Sequence, residues 1–579
     1  MSNSESENSP RVAGVLVPVF AIRTESDLGI GDTSGVKEMV DWLAKIGMKF
    51  LQVLPINEMA GDNSPYNAIS SVAIEPTTLD VSPKKIPELR EEDYNRIIKE
   101  VDLAALRSGA VDYKKVRRLK SDLLWSAFHQ FQNDPAIRGS KRETEFLEFC
   151  QKESGWLQDY CTFRVFMDME GGSENWETWS ERYNTIDKAR AHLQKLLSTA
   201  PDQARMQQAY YAYVQFLAHN QWADVASYAA GKGVHLMGDV PFGLSRCSAD
   251  VFSEPQWFDL DWCGGAPPET NFKDDEFVVR WGQNWGIPNY RWDRMAEDGF
   301  KWWKRRIAKL CETFDIFRID HVLGFYRIYS FPWRPERNSE FLHLGEDEVR
   351  AKTGGRMPGF LPRPDDTDEN QRMNQEEGEK YLSAIAEAAG DSEIVAEDLG
   401  MVPPYVPGSL NGLGMSGMRV PMWETQPDGE FNVANSYTYL TLATYATHDH
   451  EPMKTQWERH RQIIQNSHHQ DEVNAAWYLL HRLARFAKYP EAQGDPVPPY
   501  SDAIREALLR ELFAASSKYA AVMITDLLGL EDRFNVPGTL SEGNWSRRLE
   551  MTVSDLDRDP RWAKLGDQIH GLLKETGRA

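Results

Sequence analysis

The sequence predicts an α/β fold, a (β/α)8 TIM barrel with helical and loop insertions. Short apolar stretches typical of strands alternate with segments of helical spacing, beginning with a strand at 12–20 and a helix at 36–46. Three later stretches of strand character end in acidic residues, namely Asp320, Glu397 and Asp449. The chain has 579 residues, too many for one simple core, although a large barrel with insertions could use all of them.

The first elements place the barrel at residues 12–83 and 201–579, after a polar tail at 1–11 that is predicted to be disordered. Between the two parts, residues 84–200 are charged and Leu-rich, with helical segments and no strand-like run. We therefore expect a helical insertion subdomain there, and we favour a wall of the cleft over an independent binding domain.

After the insertion, a helix at 209–231 leads into a strand at 234–241. A loop rich in Pro, Gly and Trp follows, and eight of the 19 tryptophans lie between Trp257 and Trp333. Flat aromatic rings can stack on sugar faces. Because most tryptophans are structural, this is a weak indication of a carbohydrate-binding cleft.

Residues 334–380 are polar, rich in acids, Pro and Gly, and show little periodicity. A loop of this length within a compact fold is either a functional lid or a disordered segment. We predict a lid over the mouth of the barrel. The alternative is a solvent-exposed loop without catalytic consequence.

The stretch 314–325 carries the chemistry of the predicted barrel. Phe317 and Ile319 share one face of a strand, and Arg318 and Asp320 share the other. In a barrel the apolar pair packs outward on helices, and the polar pair points into the mouth at the carboxyl end, where TIM barrels hold their active sites. The Arg318 guanidinium favours an ionised Asp320, as a nucleophile requires. The alternative is that Asp320 only caps the following helix.

Two further strands are predicted at 393–400 and 443–450, ending in Glu397 and Asp449, and a last one at 522–527. Paired carboxylates at one barrel mouth suit glycosidic bond cleavage, with one ionised and one kept protonated by apolar surroundings. The third acid would stabilise positive charge on the sugar ring. The alternative for Glu397 is an acidic helix start favoured by the helix dipole.

The segment His448-Asp449-His450 has a second interpretation, because an H-x-H pair also binds metals in barrel hydrolases. Its possible companions, His235 and His321, show no ligand-like arrangement, so no metal is expected. The net charge of −23 disfavours nucleic acid and anionic membranes as partners. The N-terminus lacks the features of a signal peptide, and the five cysteines are widely spaced, which predicts reduced thiols and a cytoplasmic location.

Many short motifs in order resemble the 4-α-glucanotransferases of the amylomaltase or disproportionating-enzyme family, glycoside hydrolase family 77 of the α-amylase clan. The resemblance runs from about Gly14 to Trp545. The motifs are Gln52-Val53-Leu54-Pro55, Ser64-Pro65-Tyr66, Gly238-Asp239-Val240-Pro241, Gly282-Gln283-Asn284-Trp285-Gly286, Arg318-Ile319-Asp320-His321, Ala396-Glu397-Asp398-Leu399-Gly400, Thr447-His448-Asp449 and Asn535-Val536-Pro537-Gly538-Thr539.

The resemblance implies Asp320 as nucleophile, Glu397 as acid/base and Asp449 as transition-state stabiliser. It also implies substrate contacts, in the cleaved subsite, towards the acceptor and elsewhere in the matched motifs, at Tyr66, Asp239, Gln283, Asn284, Trp285, Arg318, His321 and His448. The implied substrates are α-1,4-glucans and malto-oligosaccharides, with glucose as an acceptor and no cofactor. The chain departs from the family at His450-Glu451-Pro452, where Asn-Asp-Thr or a similar segment is usual.

Three other functions stay open from the residues alone. The nearest is an α-1,4-glucan hydrolase of the same clan, in which water takes the place of the acceptor. A metal-dependent barrel hydrolase and a non-catalytic glucan-binding protein are the others. The oligomeric state and the chain lengths that the enzyme prefers do not follow from the sequence.

Overall fold

The structure is a computed structural model that describes residues 10–269, 275–537, 539 and 543–579. The strands in chain order are β1 Val12–Leu16, β2 Phe50–Gln52, β3 His235–Val240, β4 Phe258–Ala266, β5 Gln283–Tyr290, β6 Ile316–Ile319, β7 Ile328–Phe331, β8 Gly359–Leu361, β9 Glu393–Ala396, β10 Ser416–Arg419, β11 Thr441–Ala443 and β12 Tyr519–Met523. Eight of them close into a parallel barrel in the order β1-β12-β11-β10-β9-β6-β3-β2. The predicted (β/α)8 barrel is confirmed.

Helices surround this barrel and connect its strands. They are α1 Thr33–Ile46, α2 Glu91–Ile98, α3 Leu103–Ser108, α4 Tyr113–Asn133, α5 Lys141–Lys152, α6 Ser154–Met169, α7 Ile186–Thr199, α8 Pro201–Gly231, α9 Ala249–Ser253, α10 Glu276–Trp281, α11 Trp292–Glu297, α12 Lys301–Cys311, α13 Leu323–Tyr326, α14 Asn338–Phe341, α15 Glu346–Thr353, α16 Asp368–Ala389, α17 Val406–Gly412, α18 Met453–Asn466, α19 Gln470–Phe486, α20 Asp502–Ala514, α21 Ile524–Leu528, α22 Asp555–Arg558 and α23 Pro560–Glu575. Within the described residues, no helix is both long and apolar enough to cross a membrane.

The alternation in β6 sorts its side chains as the sequence predicts. Phe317 and Ile319 lie in an apolar core outside the barrel, together with Trp302 and Ile307 of α12. Ile316 lies in a second apolar core with Met237, Val395, Met418 and other strand residues, in keeping with the inward face of the strands. One step further along the strand, on the same face as Ile316, Arg318 reaches the mouth.

Parallel register brings the functional strand ends to one level. Asp239 of β3 pairs with Arg318 of β6, and Ile319 pairs with Ala396 of β9. The ladder continues one residue further, because the Asp320 N–H donates to the Val240 carbonyl and the Glu397 N–H donates to the Ile319 carbonyl, each at 2.9 Å. Asp320 and Glu397 therefore leave neighbouring strands side by side.

All residues of the region 84–200 are described, and they form α2–α7 without any strand. It is joined to the barrel by buried contacts. The ammonium group of Lys120 in α4 donates to the carbonyls of Thr77 and Leu79 at 2.6 and 2.7 Å. Trp125 of α4 stacks on Tyr210 of α8 with ring centroids 3.8 Å apart. That this region is a separate subdomain stays a prediction.

The prediction of a loop at 334–380 is wrong. This segment contains α14, α15, β8 and the first half of α16. The helical spacing of α16 is weak within 334–380 because its buried apolar residues Leu382, Ile385 and Ala389 lie beyond residue 380. β8 completes a small antiparallel sheet in the order β5-β4-β7-β8. Two of these strands, β4 and β5, lie within the region predicted to be a Trp-rich loop.

Several other predicted boundaries are wrong. The strands predicted at 12–20 and 393–400 are β1 and β9, which end at Leu16 and Ala396. The strand predicted at 443–450 is β11, which ends at Ala443, and the residues after it form turns in which the Thr444 hydroxyl donates to the Ala446 carbonyl at 2.8 Å. The strand predicted at 522–527 is β12, which gives way to α21 after Met523. The predicted tail 1–11 falls outside the described residues up to residue 9, whereas the Arg11 side chain donates to the carbonyls of Ala515 and Thr576 at 2.7 Å each.

Candidate active site

A cleft of about 1600 Å³ opens at the carboxyl ends of the barrel strands. All but one of the eleven predicted site residues line it, and the exception, Asp239, is buried and hydrogen-bonded to two residues that do. None of the lining residues comes from 84–200, so the expectation that the helical region walls the cleft is wrong for the described residues. The region 334–380 reaches the cleft only through Asn338 and Phe360.

Arg318 connects the acidic residues of the mouth. It is buried, and its guanidinium donates to both carboxylate oxygens of Asp239 at 2.9 Å and to Oδ1 of Asp320 at 2.7 Å. Burial would lower the pKa of Arg318, but the two carboxylates outweigh it and hold this pKa well above its usual value. Arg318 also lies 3.9 Å from Oε2 of Glu397. The Arg318 guanidinium thus lies within 4 Å of the carboxyl groups of Asp239, Asp320 and Glu397.

Glu397 lies in surroundings that favour its neutral form. Burial raises the pKa of Glu397 to about 8, with a further contribution from the Asp320 charge, while Arg318 and the His321 N–H oppose the rise. The His321 N–H donates to Oε2 of Glu397 at 2.7 Å. A carboxyl group with this pKa can give up a proton and take it back near neutral pH.

Asp449 has the opposite electrostatic setting. Burial would raise the pKa of Asp449, but the neighbouring His448, the hydrogen bond from Asn535 and His450 outweigh it and hold the pKa well below its usual range. The Asn535 amide donates to Oδ1 of Asp449 at 2.6 Å, and Nε2 of His448 lies 3.2 Å from the same oxygen. The Arg533 guanidinium donates to the main-chain carbonyl of Asp449. This residue is therefore held as an anion.

Tyr66 and His448 form one side of the mouth. Their rings stack with centroids 4.7 Å apart, and the Tyr66 hydroxyl donates to Oδ2 of Asp239 at 2.7 Å. Nδ1 of His448 lies 3.2 Å from the same hydroxyl. Trp545 packs against both rings at 5.6–5.9 Å. The rings of Tyr66 and His448 are inclined by 18°, and the Trp545 ring is tilted by 41–44° to both, so the three rings form an aromatic cluster beside the carboxylates.

The two histidines around Asp449 face different partners. Nδ1 of His450 accepts a hydrogen bond from the Thr447 N–H at 3.0 Å, and its ring packs on Trp423 at 4.9 Å. His448 contacts Tyr66, as described above. Within the part of the chain that the structure describes, no group of three or more His, Cys, Asp or Glu side chains is arranged to hold a metal ion.

The small sheet contributes the predicted residues of the opposite side. Trp285 is 39% exposed, and its edge meets the His321 ring at right angles with centroids 4.9 Å apart. Its indole N–H donates to the Gln283 side chain at 3.2 Å. The Asn284 amide instead donates to the Trp333 carbonyl and the Asn338 side chain at 3.0 and 3.1 Å. Asn284 thus braces the sheet, and its contact with substrate stays a prediction.

Sequence reasoning assigned no role to Asn535, Arg533, Trp423 or Met401. Trp423 and Met401 are 50% and 55% exposed and both line the cleft. A large apolar side chain that stays exposed in a cleft is a recognition signal visible only in three dimensions. Asn535 did have a signal, because it follows the last barrel strand in the motif Asn535-Val536-Pro537, yet its partner Asp449 is 86 residues away.

The sequence is similar to those of known proteins over most of its length. A sequence model of a family described as 4-alpha-glucanotransferase matches residues 17–553. The 4-alpha-glucanotransferase of Chlamydia caviae is 27% identical over 556 residues, covering 94% of this chain and 91% of that protein. The 4-alpha-glucanotransferase of Aquifex aeolicus is 28% identical, with 93% and 96% covered.

Two solved structures share the fold. Amylomaltase from Streptococcus agalactiae, solved in complex with acarbose, has a TM-score of 0.74 and 24% identity, covering 98% of this chain and 100% of that one. Amylomaltase from Corynebacterium glutamicum has a TM-score of 0.75 and 21% identity, covering 100% and 76%. At these identities the likeness establishes the barrel architecture.

Proposed function

The chain belongs to the 4-alpha-glucanotransferase family, and we propose that it transfers α-1,4-glucan segments by a retaining double displacement at the mouth of its barrel. In this proposal Asp320 is the nucleophile, Glu397 the acid/base and Asp449 a stabiliser of positive charge. The proposal is carried by the opposite pKa shifts of Glu397 and Asp449 at one mouth, beside an Asp320 that Arg318 holds.

In the first step, Asp320 attacks the anomeric carbon of the donor sugar. The bond to the leaving O4 breaks, and that oxygen takes the proton of Glu397, so the departing glucan leaves as a neutral alcohol. The Arg318 hydrogen bond to Asp320 leaves one carboxylate oxygen free to attack. The products are a β-glucosyl ester on Asp320 and an ionised Glu397.

In the second step, the 4-hydroxyl of an acceptor sugar attacks the same carbon. Glu397 now takes the hydroxyl proton, and the ester bond to Asp320 breaks. Two inversions restore the α configuration, and both carboxyl groups return to their starting states. The ionised Asp449, held by Asn535, faces the ring while positive charge develops in both transition states.

The remaining cleft residues suit a chain of glucose units. Tyr66 and Trp545 offer flat rings beside the carboxylates, and Trp285 and Trp423 are exposed along the cleft. Sugar rings present apolar faces that pack on such surfaces. We assign malto-oligosaccharides as donors and glucose or another glucan as acceptor. The free thiols of all five cysteines support a cytoplasmic location.

Product analysis tests the assignment. Incubation of the protein with maltotriose should give a ladder of shorter and longer oligomers, and added labelled glucose should enter the reducing ends. The Asp320→Asn variant should fold, bind glucan and form no products. Shortening of maltotriose without longer products would indicate a hydrolase, and an active Asp320→Asn variant would remove the proposed nucleophile.

A further inference from the structure

The turn after β6 holds Glu397 in an unusual way. His321 has φ +46°, a left-handed backbone conformation that residues other than glycine adopt infrequently. It lies directly after Asp320 and next to the strand that carries Glu397. Strain of this kind persists only where the surrounding structure enforces it, and it is concentrated at functional sites.

Three main-chain contacts join this turn to Glu397. The Glu397 N–H donates to the Ile319 carbonyl at 2.9 Å, and the Val322 N–H donates to the Glu397 carbonyl at 3.2 Å. Between them, the His321 N–H leaves the ladder and donates to the side-chain Oε2 of Glu397 at 2.7 Å. Among the described residues, it is the only hydrogen-bond donor to this carboxyl group.

We propose that His321 is a positioning residue for Glu397, whose left-handed backbone aims the N–H at the carboxyl group and holds it towards the anomeric centre. This inference rests on the proposed acid/base role of Glu397. The contacts of the imidazole ring favour this conformation for a residue that carries a Cβ atom. The ring meets Trp285 at 4.9 Å and 90°, and Phe242 at 6.2 Å and 73°. Ring packing of this kind offsets the backbone strain.

The N–H also sets the protonation of Glu397, because a donor favours the ionised form. The charged groups around this carboxyl group are Arg318 and Asp320 from the end of β6 and Asp398 beside it in the chain. The His321 ring is not a further charge near neutral pH, since burial lowers its pKa to about 4. Loss of the N–H contact should therefore raise the pKa of Glu397.

Two variants that both lack the ring separate the backbone from the side chain. His321→Ala keeps a Cβ atom that disfavours the left-handed conformation, whereas His321→Gly removes it. In His321→Ala we expect the alkaline limb of kcat/KM for maltotriose to move up by about one pH unit. In His321→Gly the limb should stay within about 0.3 unit of the unmodified protein. His321→Asn, which tolerates the left-handed region, should also keep the limb.

Lys488 provides a matched control, because it also has a positive φ of 52° but is not among the residues that line the cleft. Lys488→Ala and Lys488→Gly should leave the pH profile unchanged. Equal limbs in the Ala and Gly variants of His321, moved or unmoved, would overturn the proposal, as would a moved limb in His321→Asn. If His321→Ala does not fold, a moved limb in His321→Gly or His321→Asn still overturns the proposal, since both must keep the limb.

Failure of the proposed function looks different. If Glu397→Gln retains the activity on maltotriose and its alkaline limb, then Glu397 is not the acid/base and the limb belongs to another group. If Glu397→Gln loses that activity but the His321 variants show equal limbs, the function stands and only the positioning role is refuted.

Discussion

Replacement of Glu397 by Gln should remove acid catalysis while sparing the nucleophile. With a pKa of about 8, the carboxyl group is about nine-tenths protonated at pH 7. With the ordinary value of 4.5, only about 0.3% would carry the proton. The site therefore increases the acid form roughly 300-fold. Because the Gln side chain cannot transfer a proton to the leaving oxygen, turnover of maltotriose should fall by about 10²- to 10⁴-fold.

The assay compares two donors that differ in their leaving group. Maltotriose needs a proton on its departing oxygen, whereas α-glucosyl fluoride releases fluoride without one. With the fluoride, the rate of the first step should fall by less than about tenfold in Glu397→Gln. The second step lacks its base, so azide, an anion that needs no deprotonation, should attack the β-glucosyl ester, rescue turnover and give an α-glucosyl azide. Asp320→Asn is the matched control, in which neither donor reacts and azide has no effect.

Equal losses with maltotriose and the fluoride would refute the acid role of Glu397. Stability gives an independent check on the same carboxyl group. Its pKa is raised in the folded state, so its contribution to the free energy of unfolding is present below about pH 4.5 and is lost as pH rises to about 8. Gln stays neutral, so the Tm of Glu397→Gln relative to the unmodified protein should rise between pH 5 and 8.5. A constant difference would contradict the raised pKa.

Three further changes test other parts of the site. Arg318→Lys should lower kcat/KM for maltotriose by about 10³-fold, because one ammonium group cannot replace donors to both Asp239 and Asp320; a loss below tenfold would show that their alignment does not matter. Asn535→Ala should lower kcat by about 10- to 100-fold and leave Tm within a few degrees, by loss of the hydrogen bond to Asp449; unchanged kinetics would remove Asn535 from the site. Replacement of residues 345–355 by a Gly/Ser linker removes α15, none of whose residues lines the cleft, so the barrel should fold with an unchanged ratio of hydrolysis to transfer. A raised ratio would support the predicted lid, which stays a prediction.

The barrel and the places of Asp320 and Glu397 could be predicted because they depend on the periodicity of strands, whereas Asp449 lies in the turns after β11. The alternation through Arg318 and Asp320 assigns side chains to the two faces of a strand, and parallel register then aligns neighbouring strand ends. The helices of segment 334–380 could not be predicted because α15 is short and most buried apolar residues of α16 lie beyond residue 380.

The roles of Asn535 and His321 could not be predicted for another reason. The Asn535 hydrogen bond to Asp449 spans 86 residues, and no local pattern indicates which loops meet. For His321 the informative quantity is a backbone angle, which the surrounding contacts impose on a residue that does not require it. A motif can indicate that such residues matter, but what each of them does can be inferred only from its contacts in three dimensions.

The cycle itself requires the acid of the first step to become the base of the second, and the site contains a cause for that change. Burial of Glu397 persists through the cycle, but the Asp320 charge, which also raises the pKa of Glu397, disappears when Asp320 becomes an ester. Arg318, which lies 3.9 Å from Oε2 of Glu397, does not lose its charge when the ester forms. The pKa of Glu397 should therefore be lower in the glucosyl enzyme than in the free enzyme, which makes the ionised base available when the acceptor arrives. Titration of the labelled Glu397 carboxyl carbon by NMR, before and after trapping with a 2-fluoro donor, measures this difference. A pKa that stays or rises on trapping would show that Asp320 does not drive the exchange of roles.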